Sequence, residues 1–172
     1  MKRGEMIGYS IKKVLFPFFL ALSFSYAQQL EVTADRFTHV EKENKAIFEG
    51  NAHAIEGKSR VDADRFVIFL DKNNEAREYL AEGNVSFEIV KPDQHVKGSC
   101  RELTYNVSRE TYLLKGDAHI VDMLNKREMI GEEVFLDNRK REAKALSDHK
   151  APVKLIFQMK DAKKEKKRKG DR

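Results

Sequence analysis

A Gly-Asn or Gly-Asp step recurs in this chain at a fixed interval of 33 residues. The three steps are Gly50-Asn51, Gly83-Asn84 and Gly116-Asp117. A period of this size indicates a copied supersecondary unit, which buries its apolar face only by stacking on its neighbours. The chain is therefore expected to fold as a stack of similar units.

Apolar residues flank each step in two columns. One column lies three residues before the glycine (Ile47, Leu80 and Leu113), and the other lies two residues after it (Ala52, Val85 and Ala118). This odd separation would place the two columns on opposite faces of a regular strand. Since glycine inside a strand marks a bulge or sharp bend, we expect each corner glycine to return both columns to one shared apolar interior.

Strand patterns dominate residues 30–157, and polar turns divide them. The turns are expected at residues 41–45, 71–75, 106–110 and 137–141. Residues 140–146 have a helical composition, but strand or turn fits the pattern better. The predicted fold is all-β, built from a unit of strand, hairpin, kinked strand and loop that is repeated about three and a half times.

The N-terminal residues predict a secretory signal peptide over residues 1–27. A basic start precedes an apolar run over residues 14–24, and small residues follow at Ser25 and Ala27. The apolar run is shorter than the roughly 20 residues that span a bilayer, and Pro17 interrupts it. We therefore expect cleavage after Ala27, export to the periplasm, and one β domain over residues 28–159.

The formal net charge of +5 comes from the two ends of the chain. Residues 160–172 contain eight basic and three acidic side chains and no strand pattern, so they predict a disordered basic tail. Such a tail could contact anionic lipid headgroups. Nucleic acid is excluded as a partner by the expected export, and the lone Cys100 permits no intramolecular disulfide.

Catalytic and metal-binding patterns are missing from the sequence. The five histidines show no paired spacing that would hold a metal, and neither a nucleophile elbow nor a phosphate-cradling loop is present. The expected protein is therefore not an enzyme and has no cofactor.

Four segments carry a resemblance to a known family: residues 61–66, 79–85, 103–105 and 113–118. In their order and repetition they resemble the LptA/OstA-like lipopolysaccharide-transport family over residues 30–157. This resemblance implies a twisted, open β-jellyroll that shields lipid A acyl chains on the way to the outer membrane. It also implies inner-membrane LptC-like and outer-membrane LptD-like partners, and a homo-oligomer that forms head to tail through edge strands.

Strand parity gives a hypothesis for the lipid-binding residues that line such a groove. They are Leu30, Val32, Ile47, Phe66, Ile68, Leu80, Val85, Phe87, Leu103, Tyr105, Val107, Leu113 and Ile120. By the resemblance, Leu30, Val32, Tyr105 and Val107 match family positions that face the lipid. The alternative for each residue is a plain core position, because a shift of one residue reverses the face.

Three other functions stay open at this point. The chain could be a periplasmic β-scaffold that binds partners through its edges, or a membrane-anchored LptC-like component without independent lipid carriage. A secreted enzyme or sugar-binding β-protein would need a defined polar pocket formed by residues distant in sequence.

Overall fold

The computed structural model describes residues 29–148 and 151–158, so the predicted signal peptide and basic tail lie outside it. Strands and tight turns make up nearly all of this part, together with one 3-10 turn at Glu41–Glu43. The strands are β1 (Leu30–Thr33), β2 (Arg36–Val40), β3 (Lys45–Glu56), β4 (Ser59–Leu70), β5 (Ala76–Lys91), β6 (Gln94–Asn106), β7 (Thr111–Asp122), β8 (Arg127–Asp137), β9 (Glu142–Leu146) and β10 (Lys154–Phe157).

The strands form one antiparallel sheet whose central members follow chain order. The path runs β1-β3-β4-β5-β6-β7-β8-β10, while β2 pairs with β3 and β9 pairs with β8. Neighbouring long strands are joined by short polar hairpins at the four places where the sequence predicts turns. The all-β expectation is thus confirmed, and residues 140–146 contain a turn followed by strand β9.

Each Gly-Asn or Gly-Asp step lies at a β-bulge. The dipeptides Gly50-Asn51, Gly83-Asn84 and Gly116-Asp117 each lie opposite one residue of the following strand. Both members of each dipeptide have a positive φ, for example +76° at Gly83 and 46° at Asn84. This is the left-handed region, which glycine adopts without strain and asparagine and aspartate tolerate. The three bulges align across the sheet, and we call this line the crease.

Polar side chains lock the crease from the solvent side. At the first two bulges an amide donates to a carboxylate: Asn51 Nδ2 to Asp35 Oδ2 (3.1 Å) and Asn84 Nδ2 to Asp64 Oδ2 (2.8 Å). At the third bulge an ion pair takes this place, with Arg101 Nε 3.6 Å from Asp117 Oδ2. All three bulges are therefore held by a side-chain contact across the crease, which is an amide–carboxylate hydrogen bond at two of them and an ion pair at the third.

The crease divides the sheet into two wings. Strands β2 and β1 pair with the two halves of β3, and β9 and β10 pair with the two halves of β8. One wing therefore has β2 and β9 at its edges, and the other has β1 and β10. Side chains from both wings meet in one apolar cluster, including Phe66, Leu103 and Leu114 from the first and Phe87 and Ile120 from the second. The sheet is therefore folded on itself, with its concave face as the core.

The residues that face inward before each glycine are not those expected from the sequence. On β5 the buried residues next to the bulge are Ala81 and Val85, which are four apart, so the glycine strand keeps its phase. The change of phase falls on the partner strand, where Cys100 and Leu103 are both buried although they are three apart. The inward column before each glycine therefore lies two residues before it, at Phe48, Ala81 and Leu114.

Within the described residues, no helix is long and apolar enough to cross a membrane.

Candidate functional site

A groove lies between the two wings on the concave face and contains a cavity of about 260 Å³. Apolar side chains from four neighbouring strands and both wings form its floor: Ala54, Val61, Phe66, Ala81, Ile89 and Leu103. The volume is slightly below the range of about 300–1,000 Å³ that encloses a drug-sized ligand. The groove can therefore hold a slender apolar segment, with the rest of the molecule outside.

Three tyrosines border one side of the cavity, and we call them the tyrosine lip. Tyr79 on β5, Tyr105 on β6 and Tyr112 on β7 lie directly opposite one another in the sheet. Their ring centroids are 6.1 Å and 4.3 Å apart with nearly parallel planes, and Tyr79 also stacks on Phe66 at 5.9 Å. Since direct cross-strand neighbours stand side by side, the ladder follows from the register alone.

The opposite side of the cavity carries polar and charged residues, and we call Glu56, Ser59, Arg60 and Lys91 the charged lip. They lie at the hairpin ends of β3, β4 and β5 on the other wing, and they border the same cavity as the tyrosines. Glu56 and Lys91 are exposed. The Ser59 hydroxyl is bound to its own wing, since it accepts from the Val90 backbone N–H at 3.0 Å.

The electrostatics of the tyrosine lip reflect this arrangement. Burial raises the pKa of Tyr79, and the nearby Glu56 carboxylate raises it further. Burial is also the main cause that raises the pKa of Tyr105 and Tyr112, with Glu56 contributing to both. All three hydroxyls are therefore protonated at neutral pH, and each can both donate and accept a hydrogen bond.

The structure distributes the thirteen predicted lipid-binding residues over three environments. Five border the cavity: Leu30, Phe66, Leu103, Tyr105 and Val107. Five others pack in or against the core cluster on the same face: Val32, Ile68, Val85, Phe87 and Ile120. Contact of these ten with lipid stays a prediction.

The last three residues, Ile47, Leu80 and Leu113, do not line the groove, and the expectation was wrong for them. Each lies directly before an inward residue of its strand and therefore points to the outer face. There they join an outer row with Val67, which is only 1% exposed, so both faces of this wing are apolar. In a run such as Tyr79-Leu80-Ala81, apolar and polar residues do not alternate, so the sequence does not show which side chains point to the groove.

Sequence reasoning missed Tyr79, Tyr112 and the charged lip. A signal for the two tyrosines was present, because both lie four residues before a corner glycine and are therefore 33 residues apart. No comparable signal exists for Glu56 and Lys91. Their position beside the tyrosines depends on the folding of one wing over the other.

Among residues 29–148 and 151–158, no group of three or more His, Cys, Asp or Glu side chains is placed to hold a metal ion. His53 and His119 make hydrogen-bond contacts with carboxylates across the outer face, with His53 Nδ1 2.6 Å from Asp62 Oδ1 and His119 Nε2 2.8 Å from Glu128 Oε1. Cys100 is buried in the core, and this burial raises the pKa of its thiol to about 12.

Comparisons with known proteins agree with this geometry. A comparison with curated proteins found no significant match. Among solved structures, the chain is similar to LptH from Pseudomonas aeruginosa, described as the LptA-homologous periplasmic component of the lipopolysaccharide transport device. That match has 18% identity and a TM-score of 0.66, and it covers 77% of this chain and 96% of LptH. A family model described as LptA/(LptD N-terminal domain) LPS transport protein matches residues 31–142. The chain therefore belongs to the LptA/LptD N-terminal domain family of lipopolysaccharide-transport proteins.

Proposed function

We propose that this protein is a periplasmic carrier that binds lipopolysaccharide through its acyl chains and passes it toward the outer membrane. The observation that carries the proposal is the apolar groove between two wings of one folded sheet. Each buried methylene contributes about 0.8 kcal/mol. A partly enclosed groove therefore holds an acyl chain firmly enough to keep it from water without trapping it.

Family membership supports lipopolysaccharide as the cargo. The polar seam between the lips allows a sugar headgroup to stay in contact with water, since Glu56 and Lys91 are exposed. Inner-membrane LptC-like and outer-membrane LptD-like proteins are the partners that such a carrier requires. The predicted cleavage after Ala27 would release the domain into the periplasm.

Site-specific photo-crosslinking in envelope-intact cells tests the cargo. A benzophenone side chain is introduced at Tyr105, which borders the cavity, and in a matched variant at Thr104, the preceding residue, which alternation places on the outer face. A lipopolysaccharide adduct is expected at Tyr105 and not at Thr104. Adducts at neither position, or at both equally, in a folded and exported protein would contradict the proposal.

A second pair of probes tests the face assignment independently. Tyr79 borders the cavity, whereas Leu80 lies on the outer row. An adduct at Tyr79 with none at Leu80 is expected. The reverse result would mean that lipid follows the outer row of apolar side chains.

Assembly through the sheet edges is the second part of the proposal. The edge strands expose large apolar side chains, with Phe37 on β2 62% exposed and Leu146 on β9 59% exposed. Unpaired edge strands offer main-chain hydrogen bonds to a second copy, and a head-to-tail contact of this kind does not close. The alternative, a β-scaffold without lipid carriage, would use the same edges.

Sedimentation over a range of protein concentrations tests the assembly. Phe37→Lys should weaken association, because a lysine on an edge strand discourages pairing. The matched control is Met123→Lys, since Met123 is 45% exposed in the turn between β7 and β8, on the other wing from the β2 edge. Equal association by both variants and the wild type would refute assembly through the β2 edge.

A further inference from the structure

The seam of the groove places two different chemistries opposite each other. Three phenol hydroxyls lie along one lip at Tyr79, Tyr105 and Tyr112, and a carboxylate and an ammonium group lie on the other at Glu56 and Lys91. Below them the cavity becomes apolar, with Phe66 and Leu103 on its floor. Arg60 on β4 is also exposed and borders the same cavity, so this side of the groove carries two cationic groups and one carboxylate.

Tyrosine suits a boundary between apolar and polar parts of a ligand. Its ring is apolar and its hydroxyl is polar, and for this reason tyrosine is enriched where acyl chains meet headgroups. The stacked rings place the three hydroxyls in a row that runs across β5, β6 and β7. Successive tyrosines are therefore about 5 Å apart, which is the distance between neighbouring strands. This spacing suits a ligand that has several hydrogen-bonding groups in succession.

We propose that the tyrosine lip and the charged lip together form a headgroup subsite for a phosphorylated sugar, with the attached acyl chain extending down to Phe66 and Leu103. The inference rests on the proposed function and deepens it, because it assigns recognition of the headgroup to named residues. Lys91 and Arg60 provide the positive charge for a phosphate group. Glu56 accepts hydrogen bonds from sugar hydroxyls, and the tyrosines donate to and accept from the sugar ring substituents.

The same groups disfavour an ordinary phosphatidylcholine. Its phosphate and ester oxygens can accept from the phenol hydroxyls, but it has no N–H or O–H donor, so the Glu56 carboxylate would lose water without gaining a hydrogen bond. A site built for hydrogen bonds rejects a ligand that leaves its polar groups unpaired. The subsite therefore selects a glycolipid over a phospholipid of equal acyl length.

Displacement of a fluorescent fatty acid from the purified protein tests the inference. The competing ligands are diphosphorylated lipid A, dephosphorylated lipid A and phosphatidylcholine, all presented in the same detergent. The variants are Lys91→Gln and the triple variant Tyr79→Phe/Tyr105→Phe/Tyr112→Phe, which keeps the ring ladder and removes only the hydroxyls. Lys58→Gln serves as the matched control, because Lys58 is an exposed lysine in the β3–β4 turn that does not border the cavity.

The wild type and Lys58→Gln should prefer diphosphorylated lipid A over phosphatidylcholine. Lys91→Gln should weaken binding of the diphosphorylated form about tenfold and leave the dephosphorylated form within about twofold, as expected for the loss of one charge-assisted contact. The triple variant should weaken binding of both lipid A forms about tenfold or more.

Two results would overturn the inference while the proposed function stands. The first is that Lys91→Gln and the triple variant bind lipid A as tightly as the wild type does. The second is that the wild type prefers phosphatidylcholine to lipid A. A wild-type protein that binds neither the fatty acid nor lipid A would instead refute the proposed function itself. Circular dichroism of each variant checks that the fold is retained.

Discussion

Gly83→Ala should destabilise the central bulge of the crease without disturbing the apolar core. Gly83 has φ +76°, and the Cβ methyl group of an alanine there would clash with the Asp64 carboxylate. The left-handed backbone costs an alanine about 1–2 kcal/mol. Displacement of Asp64 also breaks its 2.8 Å hydrogen bond with Asn84, which at this exposed position contributes about 0.5–1 kcal/mol. The free energy of unfolding should therefore fall by about 1.5–3 kcal/mol.

Urea unfolding followed by circular dichroism measures this loss on purified protein. Gly131→Ala is the matched control, because Gly131 also lies inside a long strand but does not have a positive φ, and the nearest contact of an added Cβ would be Leu146 O at 3.1 Å. This control should stay within about 1 kcal/mol of the wild type. In an Asp64→Ala background Gly83→Ala should cost only the backbone part, about 1–2 kcal/mol. A Gly83→Ala variant within about 0.5 kcal/mol of the wild type would refute the requirement for glycine at the crease.

Three further predictions concern the core, the thiol and the acid limb of stability. Leu114→Ala should lower the free energy of unfolding in urea by about 2–5 kcal/mol, because Leu114 is 1% exposed. Leu124→Ala, at a 54% exposed turn position, should change it by no more than about 0.5 kcal/mol. Equal losses would contradict the core assignment. The Cys100 thiol should react with an alkylating reagent only after unfolding, because burial raises its pKa to about 12; rapid alkylation of the folded protein would show that the strand opens. The Lys140 backbone N–H donates to Asp137 Oδ1 at 2.9 Å and holds the pKa of that carboxyl below its ordinary value of 3.8. The stability that Asp137 contributes is therefore present above that value and is lost as the pH falls through the lower, folded pKa. Asp137→Asn should flatten the pH dependence of unfolding in this acid window, and an unchanged slope would refute the role of the turn.

Sequence reasoning found the architecture because the repeat is local. The 33-residue period, the polar turns and the glycine steps all depend on residues close together in the chain. Each glycine step does form a bulge, since a Gly-Asn pair at positive φ favours that conformation in any sheet. These features predicted the all-β fold, and they carried the resemblance to the family that matches residues 31–142.

The faces of the strands were harder to predict. The bulge leaves its own strand in phase and shifts the partner strand, as Cys100 and Leu103 show on β6. Ile47, Leu80 and Leu113 were therefore assigned to the wrong face, and the apolar outer row around Val67 concealed the error. A one-residue error of phase reverses every side chain between two turns.

The sequence by itself determined the repeated unit, the position of each bulge and four of the turns, because turn and glycine conformations are set by neighbouring residues. Only the tertiary structure decided what lies across the groove. Glu56 and Lys91 border the same cavity as Tyr79, Tyr105 and Tyr112 because one wing folds over the other along the crease. That contact depends on the summed bend of several bulged strands, and no local pattern in the chain records it.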